Sequence, residues 1–209
     1  MQEVIALYNR LAPFYDRVRS RSLMEAPYLD RVLARIPTGA RILDIGCGAG
    51  EPITRYLIEA GCCLTGVDAA PEMLRRCRER FAGHTFIEAD MRTLELGRPF
   101  DAVIAWDSFF HLRRTSQREM FARFAQHLRP GGVLLFTSGT VNDIRIGRLC
   151  GEPLFHASLD SEEYAGLLKA HGLAVLDHVV EDPKCGGHTI WLAQKDPEHS
   201  LATTVLPTR

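Results

Sequence analysis

The run Arg41-Ile42-Leu43-Asp44-Ile45-Gly46-Cys47-Gly48-Ala49-Gly50-Glu51-Pro52 constrains the fold more than any other stretch of the chain. Ile42, Leu43 and Ile45 form the short apolar run expected of a parallel strand buried on both faces. Three glycines then let the backbone turn sharply and pass close to a ligand with no Cβ in the way. Pro52 suits the first turn of a helix, where a missing N–H costs nothing. Strand, glycine turn and helix start, in that order, outline an α/β unit with a ligand at the turn.

Leu64-Thr65-Gly66-Val67-Asp68 reads as a second strand ending in a carboxylate. An acid roughly 20 residues beyond such a turn accepts hydrogen bonds from ribose hydroxyls. The glycine spacing does not suit a dinucleotide, because the third glycine falls one place early and Glu51 takes its position. A carboxylate there would face a pyrophosphate with like charge. The pattern suits a cofactor that carries ribose but no phosphate.

Further blocks follow in order: Glu88-Ala89-Asp90-Met91, Phe100-Asp101-Ala102-Val103 and Leu128-Arg129-Pro130-Gly131-Gly132. Together with Asp44–Gly50 and Gly66–Asp68, the set resembles the signature blocks of the class I S-adenosylmethionine-dependent methyltransferases, across residues 36–195. The resemblance implies a Rossmann-like, doubly wound, mostly parallel seven-stranded sheet with an antiparallel edge strand.

The pattern along the chain is compatible with that fold. Val4, Leu7, Tyr8 and Leu11 recur at helix spacing up to Pro13, and a second helix is expected over 22–35, so residues 1–35 read as an N-terminal helical cap. Strands are expected at 41–46, 63–68, 85–88, 100–106, 133–138, 173–180 and 188–194. Helices are expected at 52–60 and 71–82, with a weak helical segment at 91–97. Ser116 with Glu119, and Asp160 with Glu163, read as caps of two more helices. Residues 139–157 read as a long loop, of the length that tends to be functional. Residues 196–209 read as a tail.

Ligands of open α/β sheets sit beyond the carboxyl ends of the strands. That rule selects Asp44–Gly50, Asp68–Ala70, Asp90, Met91, 106–111 and 138–140. The resemblance assigns roles among them. Gly46, Cys47, Gly48 and Gly50 would meet the methionine part of the cofactor, with Asp44 beneath its amino group. Asp68 and Ala69 would face the ribose; Asp90 and Met91 would face the adenine. Met73, Trp106 and Tyr15 are further cofactor contacts, although Met73 and Tyr15 are equally explained by packing. Tyr8 and Phe14 read as packing residues of the cap.

The acceptor is expected against Trp106-Asp107-Ser108-Phe109-Phe110-His111, where the resembling family places it. His111 is the candidate general base, since imidazole titrates near operating pH, or else a structural helix-start histidine. Tyr15, Ser108, Phe109, Phe155 and His156 are candidate substrate contacts, with Cys185 and His188 nearby. Those histidines and Cys185 have no metal-ligand spacing, and no metal is expected.

Composition narrows the partners. Net charge is −1, with 25 basic and 26 acidic residues, so no basic groove supplies the counterion release that drives nucleic-acid binding. The arginines of 74–80 alternate with acid on a helix and read as a solvated face. Six scattered cysteines without Cys-x-x-Cys pairs suit reduced thiols, and no apolar run approaches a membrane span. The reading is a cytoplasmic enzyme using S-adenosylmethionine to methylate O or N of a small molecule, with no nucleic-acid or membrane partner. Its oligomeric state is open. A cofactor-binding regulatory or scaffold protein, and an NAD-dependent oxidoreductase, are the alternatives.

Overall fold

The computed structural model describes residues 2–197. The tail reading therefore lies outside the described residues except at Asp196 and Pro197. The chain alternates strand and helix: β1 (Arg41–Ile45), α3 (Ile53–Glu59), β2 (Cys63–Asp68), α4 (Pro71–Arg80), β3 (Thr85–Glu88), β4 (Phe100–Ala105), α5 (Arg114–His127) and β5 (Leu128–Ser138). Two helices precede these, α1 (Gln2–Val18) and α2 (Ala26–Leu33). A hairpin of β6 (Asp143–Leu149) and β7 (Glu152–Ser158) follows, then α6 (Ser161–Ala170), β8 (Leu173–Asp182) and β9 (His188–Lys195).

The seven-stranded sheet runs β3-β2-β1-β4-β5-β9-β8. The first five strands pair in parallel, and β9 is antiparallel to both neighbours. The antiparallel strand thus lies one place in from the edge, which is β8. Strand order reverses between β1 and β4, so the crevice for a ligand opens beyond Ile45 and Ala105. Both sheet faces are covered. Leu43, Val103 and Phe136 pack under α5 and α6, while Ile42, Ile104 and Leu135 pack under α2, α3 and α4. That two-sided burial is why these strands read as continuous apolar runs.

Several local expectations are corrected. Helix α1 continues through Pro13. Pro13 is exposed, so water can satisfy the carbonyl that loses its helical donor. Ser116 caps nothing: α5 begins at Arg114, with Arg113 at the N-cap and no side-chain cap. The buried Gln117 side chain fixes that start by donating to the Leu112 and Ala157 carbonyls. Asp160 does cap α6, accepting from the Glu163 N–H at 2.8 Å. Strand β5 begins at Leu128, its Arg129–Gly132 segment forming a bulge against β4. The 139–157 loop is mostly the β6–β7 hairpin, turned at Cys150 and Gly151, both with positive φ (53° and 84°).

Helix α1 lies across the carboxyl ends of the strands. The Asp16 carboxylate is buried against α4, where it pairs with Arg80. Asn9 accepts the Glu72 N–H at 2.8 Å, and Val4 and Leu7 pack on Leu154 of β7. Helix and hairpin together roof the crevice.

Candidate functional site

The site is built from loop ends. After β1 the backbone turns with φ of +78° at Gly46, +55° at Gly48 and +80° at Gly50, all in the left-handed region that favours glycine. A Cβ at Gly46 would lie 2.2 Å from the Ser108 Cβ, whereas a Cβ at Gly48 would meet nothing within 4 Å. The turn is therefore closed by protein at Gly46 and left open at Gly48.

Asp68 ends β2 and is held from below. Its two oxygens accept the Gly48 N–H at 2.9 Å and the Ala70 N–H at 2.8 Å. Burial raises its carboxyl above the usual range, against the lowering effect of those backbone donors. Asp44 is more enclosed. Its Oδ2 accepts the Thr54 hydroxyl at 2.8 Å, and burial pushes its carboxyl up to about 7. Asp90 caps the short turn Met91–Thr93, and Arg92 grips it, so its carboxyl falls below the ordinary value.

Two adjoining cavities open over these groups. The first is lined by Tyr8, Tyr15, Gly46, Gly48, Asp68, Ala69, Met73, Asp90, Met91, Asp107, Ser108 and His111, among others. The second runs beneath Tyr15 and Arg19 along Asp44, Cys47, Gly50, Thr54 and Trp106, and shares Tyr15, Gly46, Gly48 and Asp107 with the first. Every residue expected at a cofactor lines one or the other.

The acceptor-side expectations divide. Ser108 and His111 line the first cavity. Phe109 does not: it is fully buried among Phe121, Phe124, Phe136 and Tyr164. Residues 109–111 form one 3₁₀ turn, and three residues per turn send Phe109, Phe110 and His111 in three directions. The Phe155 ring packs against the Val4–Leu7 face of α1, so its contribution to the site is its carbonyl, not its ring. His156 lines a separate cleft with Phe110, under the hairpin. Among the described residues no three metal-ligating side chains converge.

His111 is hydrogen-bonded at both nitrogens. Nδ1 lies 2.8 Å from the Phe155 carbonyl, which only accepts, so Nδ1 carries the proton. Nε2 then accepts the Tyr8 hydroxyl at 3.0 Å. Burial pushes the imidazole down to about 4, so the ring is neutral near pH 7. Tyr8 is also deeply enclosed, and burial raises its phenol well above the ordinary value.

The sequence reading missed Tyr8 and Arg19 and left Asp107 out of its named contacts. Tyr8, Tyr15 and Arg19 fall on one face of an unbroken helix and its last turn, where the Arg19 N–H still bonds the Tyr15 carbonyl. Ending α1 at Pro13 hides that stripe. Asp107 has φ +49°, rare for a side-chain-bearing residue. Its Oδ1 accepts His188 Nε2 at 2.8 Å, and its N–H donates to the Thr137 hydroxyl. His188 donates from Nδ1 to the Cys185 carbonyl, and the Asp107 carboxylate holds its pKa above the ordinary value.

A family model described as a methyltransferase domain matches residues 42–132. The malonyl-[acyl-carrier protein] O-methyltransferase of Enterobacter lignolyticus is 34% identical over 140 residues, 66% of this chain and 53% of that protein. The dTDP-3-amino-3,4,6-trideoxy-alpha-D-glucopyranose N,N-dimethyltransferase of Streptomyces venezuelae is 35% identical over 108 residues, 51% of this chain and 45% of that protein. The chain thus spans about half the length of these curated relatives. Among solved structures, the S-adenosylmethionine-bound amino pentose methyltransferase CalS10 of Micromonospora echinaspora superposes with a TM-score of 0.70 at 25% identity, covering 88% of this chain and 95% of that one.

Proposed function

The chain belongs to the class I, Rossmann-like methyltransferase family, and from that premise we propose that it is an S-adenosylmethionine-dependent enzyme methylating O or N of a small molecule. The observation that carries the reading is the Asp68 carboxylate, fixed by two backbone N–H groups at the open side of the Gly46–Gly50 turn. A carboxylate so held accepts the two hydroxyls of a ribose.

The other residues fit the same cofactor. The open space at Gly48 leaves room for a ligand beside the backbone. Asp44, with Thr54 beside it, suits an ammonium, and Arg19 lines the same cavity and suits a carboxylate. Those are the two charged groups of a methionine moiety. Arg55 grips Glu51 and compensates its charge, so Glu51 by itself does not repel a pyrophosphate. The buried Asp44 at the turn takes over the objection, since it disfavours a phosphate there.

When bound, the cofactor supplies a methyl group activated on a sulfonium. The protein's part is then to position and to exclude water. Helix α1 and the β6–β7 hairpin cover the crevice, and Tyr8 presents its hydroxyl to the acceptor. His111 stands behind Tyr8 and fixes its rotamer. The two curated relatives are named for malonyl-[acyl-carrier protein] and for a dTDP-linked amino sugar, which supports small or carrier-presented acceptors for this chain too.

The site lies in a protein whose six cysteines are all unpaired and whose described helices include none long and apolar enough to cross a membrane. We read its setting as cytoplasmic. Calorimetry tests the proposal: S-adenosylhomocysteine should bind in a 1:1 complex while NAD does not, and labelled methyl should pass into a component of a metabolite extract. Binding of NAD in preference would replace methyl transfer with redox chemistry. Cofactor binding without any labelled product would favour a regulatory protein.

A further inference from the structure

The hydrogen-bond inventory around the acceptor position narrows the substrate class, an inference that rests on the methyltransferase reading. Four polar side chains of the first cavity lie on its acceptor side: Tyr8, Asp107, Ser108 and His111. The Ser108 hydroxyl is committed to the Ile45 carbonyl at 2.6 Å. Both His111 nitrogens are taken, by Tyr8 and by the Phe155 carbonyl. The Tyr8 proton points to His111, which leaves its oxygen with lone pairs only. Asp107 Oδ1 is occupied by His188 and Thr137, and no described protein group hydrogen-bonds its Oδ2.

Among these lining residues the oxygens of Tyr8 and Ser108 and Asp107 Oδ2 therefore remain open as acceptors, and none of the four side chains has an uncommitted donor. Tyr15 adds one rotatable hydroxyl, which accepts as readily as it donates. A substrate carboxylate would offer acceptors to acceptors and a negative charge to Asp107. An alcohol has one hydrogen and can serve only one of them. A neutral primary amine has two N–H bonds and one lone pair. It satisfies Tyr8 Oη and Asp107 Oδ2 together and leaves its lone pair directed away from both.

We infer that the acceptor is a primary amine, held by Tyr8 and Asp107 through its two N–H groups, with the Asp107 carboxylate fixed in turn by His188 and Thr137. The left-handed backbone of Asp107 is then the strain that aims this carboxylate between the two cavities. In the transfer, the nitrogen lone pair forms the N–C bond as the methyl–sulfur bond breaks, and the resulting ammonium releases its proton to solvent. No strong base is needed, which agrees with a neutral, deeply buried His111. A monomethylated product keeps one N–H and loses one of the two contacts, so the first methylation is favoured over the second.

Benzylamine, benzyl alcohol and benzoate share a skeleton and differ in the reacting group. Their affinities can be measured by NMR titration at about pH 10, where the amine is largely neutral, with and without saturating S-adenosylhomocysteine. Benzylamine should bind about tenfold or more tightly than benzyl alcohol, with benzoate weakest. Asp107→Asn, tolerable in the left-handed region, and Tyr8→Phe should each weaken benzylamine about fivefold or more. Equal binding of amine and alcohol, stronger binding of benzoate, or no measurable binding of benzylamine would overturn the assignment. Failure of S-adenosylhomocysteine to bind counts against the cofactor reading alone, because amine preference is still read without it.

Discussion

Gly46 and Ser108 are packed so closely that a single methyl group cannot be placed between them: a Cβ on Gly46 would sit 2.2 Å from the Ser108 Cβ. Ser108 in turn donates to the Ile45 carbonyl, so the loops after β1 and β4 are joined at the switch in strand order. That joint sets the floor on which both cavities rest.

Gly46→Ala should therefore damage the fold, combining left-handed strain with a clash against the Ser108 Cβ and Oγ, at a cost of about 2–4 kcal/mol. Gly48→Ala differs, because its Cβ meets open space and only the local strain of about 1–2 kcal/mol remains. Its loss should appear in cofactor affinity, where the methyl intrudes on the ligand. Urea unfolding and S-adenosylhomocysteine calorimetry separate the two; equal effects of both variants on both measurements would dissolve the distinction.

Removing the ribose clamp is the sharpest test of the cofactor assignment. Asp68→Ala should leave the sheet folded and weaken S-adenosylhomocysteine by about 2–4 kcal/mol, through loss of charge-assisted hydrogen bonds. Unchanged affinity would remove Asp68 from the site.

The cavity-lining positions were legible because a strand-end rule chooses residues by sequence alone. Asp68, Asp90 and the glycines lie where strands stop and Asp44 one residue before β1 ends, and they all line the cavities. The acceptor side was less legible because its residues depend on how helices and turns are rotated. Phe109 and His111 stand two places apart, yet one enters the core and the other the cavity. Tyr8 became a site residue only when α1 passed through Pro13 intact. The hairpin hid in a stretch whose turn is Cys150-Gly151 instead of the more common Asn-Gly.

Asp44 makes cofactor affinity pH-dependent. Its carboxyl sits at about 7 in the free protein, and an ammonium ligand requires the ionised form. Below that value binding must first release a proton, so affinity should fall by up to about tenfold per pH unit. Above it the dependence should flatten. Asp44→Asn should bind more weakly at pH 8 and show a flat profile; a slope retained in that variant would assign the proton elsewhere.

His111 sets a different signature. Its pKa is depressed to about 4 by burial, so the unfolded chain binds the proton more readily. The neutral ring's contribution to stability is complete above the unfolded value of about 6.5 and is lost as pH falls toward 4. Activity, for the same reason, should show no inflection near 6.5 on its acid side. His111→Ala should lower turnover by about tenfold or more while S-adenosylhomocysteine affinity holds. An inflection near 6.5 that vanishes in this variant would restore an ordinary titrating base.

The last prediction concerns the latch that holds α1 over the site. Asp16 is buried at the α1–α4 contact, where Arg80 donates to it and Arg76 lies 3.7 Å away. The Arg80 hydrogen bond holds the Asp16 carboxyl below its ordinary value, so it binds a proton less readily folded than unfolded. Its stabilising contribution is present above about pH 4, the unfolded value, and is lost as pH falls through the lower folded value. Asp16→Asn should cost about 1–3 kcal/mol at pH 7, and the difference from the parent should shrink below about pH 3.5. Only the roof depends on this contact, so hydrogen exchange should quicken across 2–18 while β1, β4 and β5 stay protected. With Tyr8 and Tyr15 both carried on that helix, the acceptor KM should rise more than kcat falls. Uniform loss of protection across the sheet would instead make Asp16 a residue of the global fold, with no separate role in closing the site.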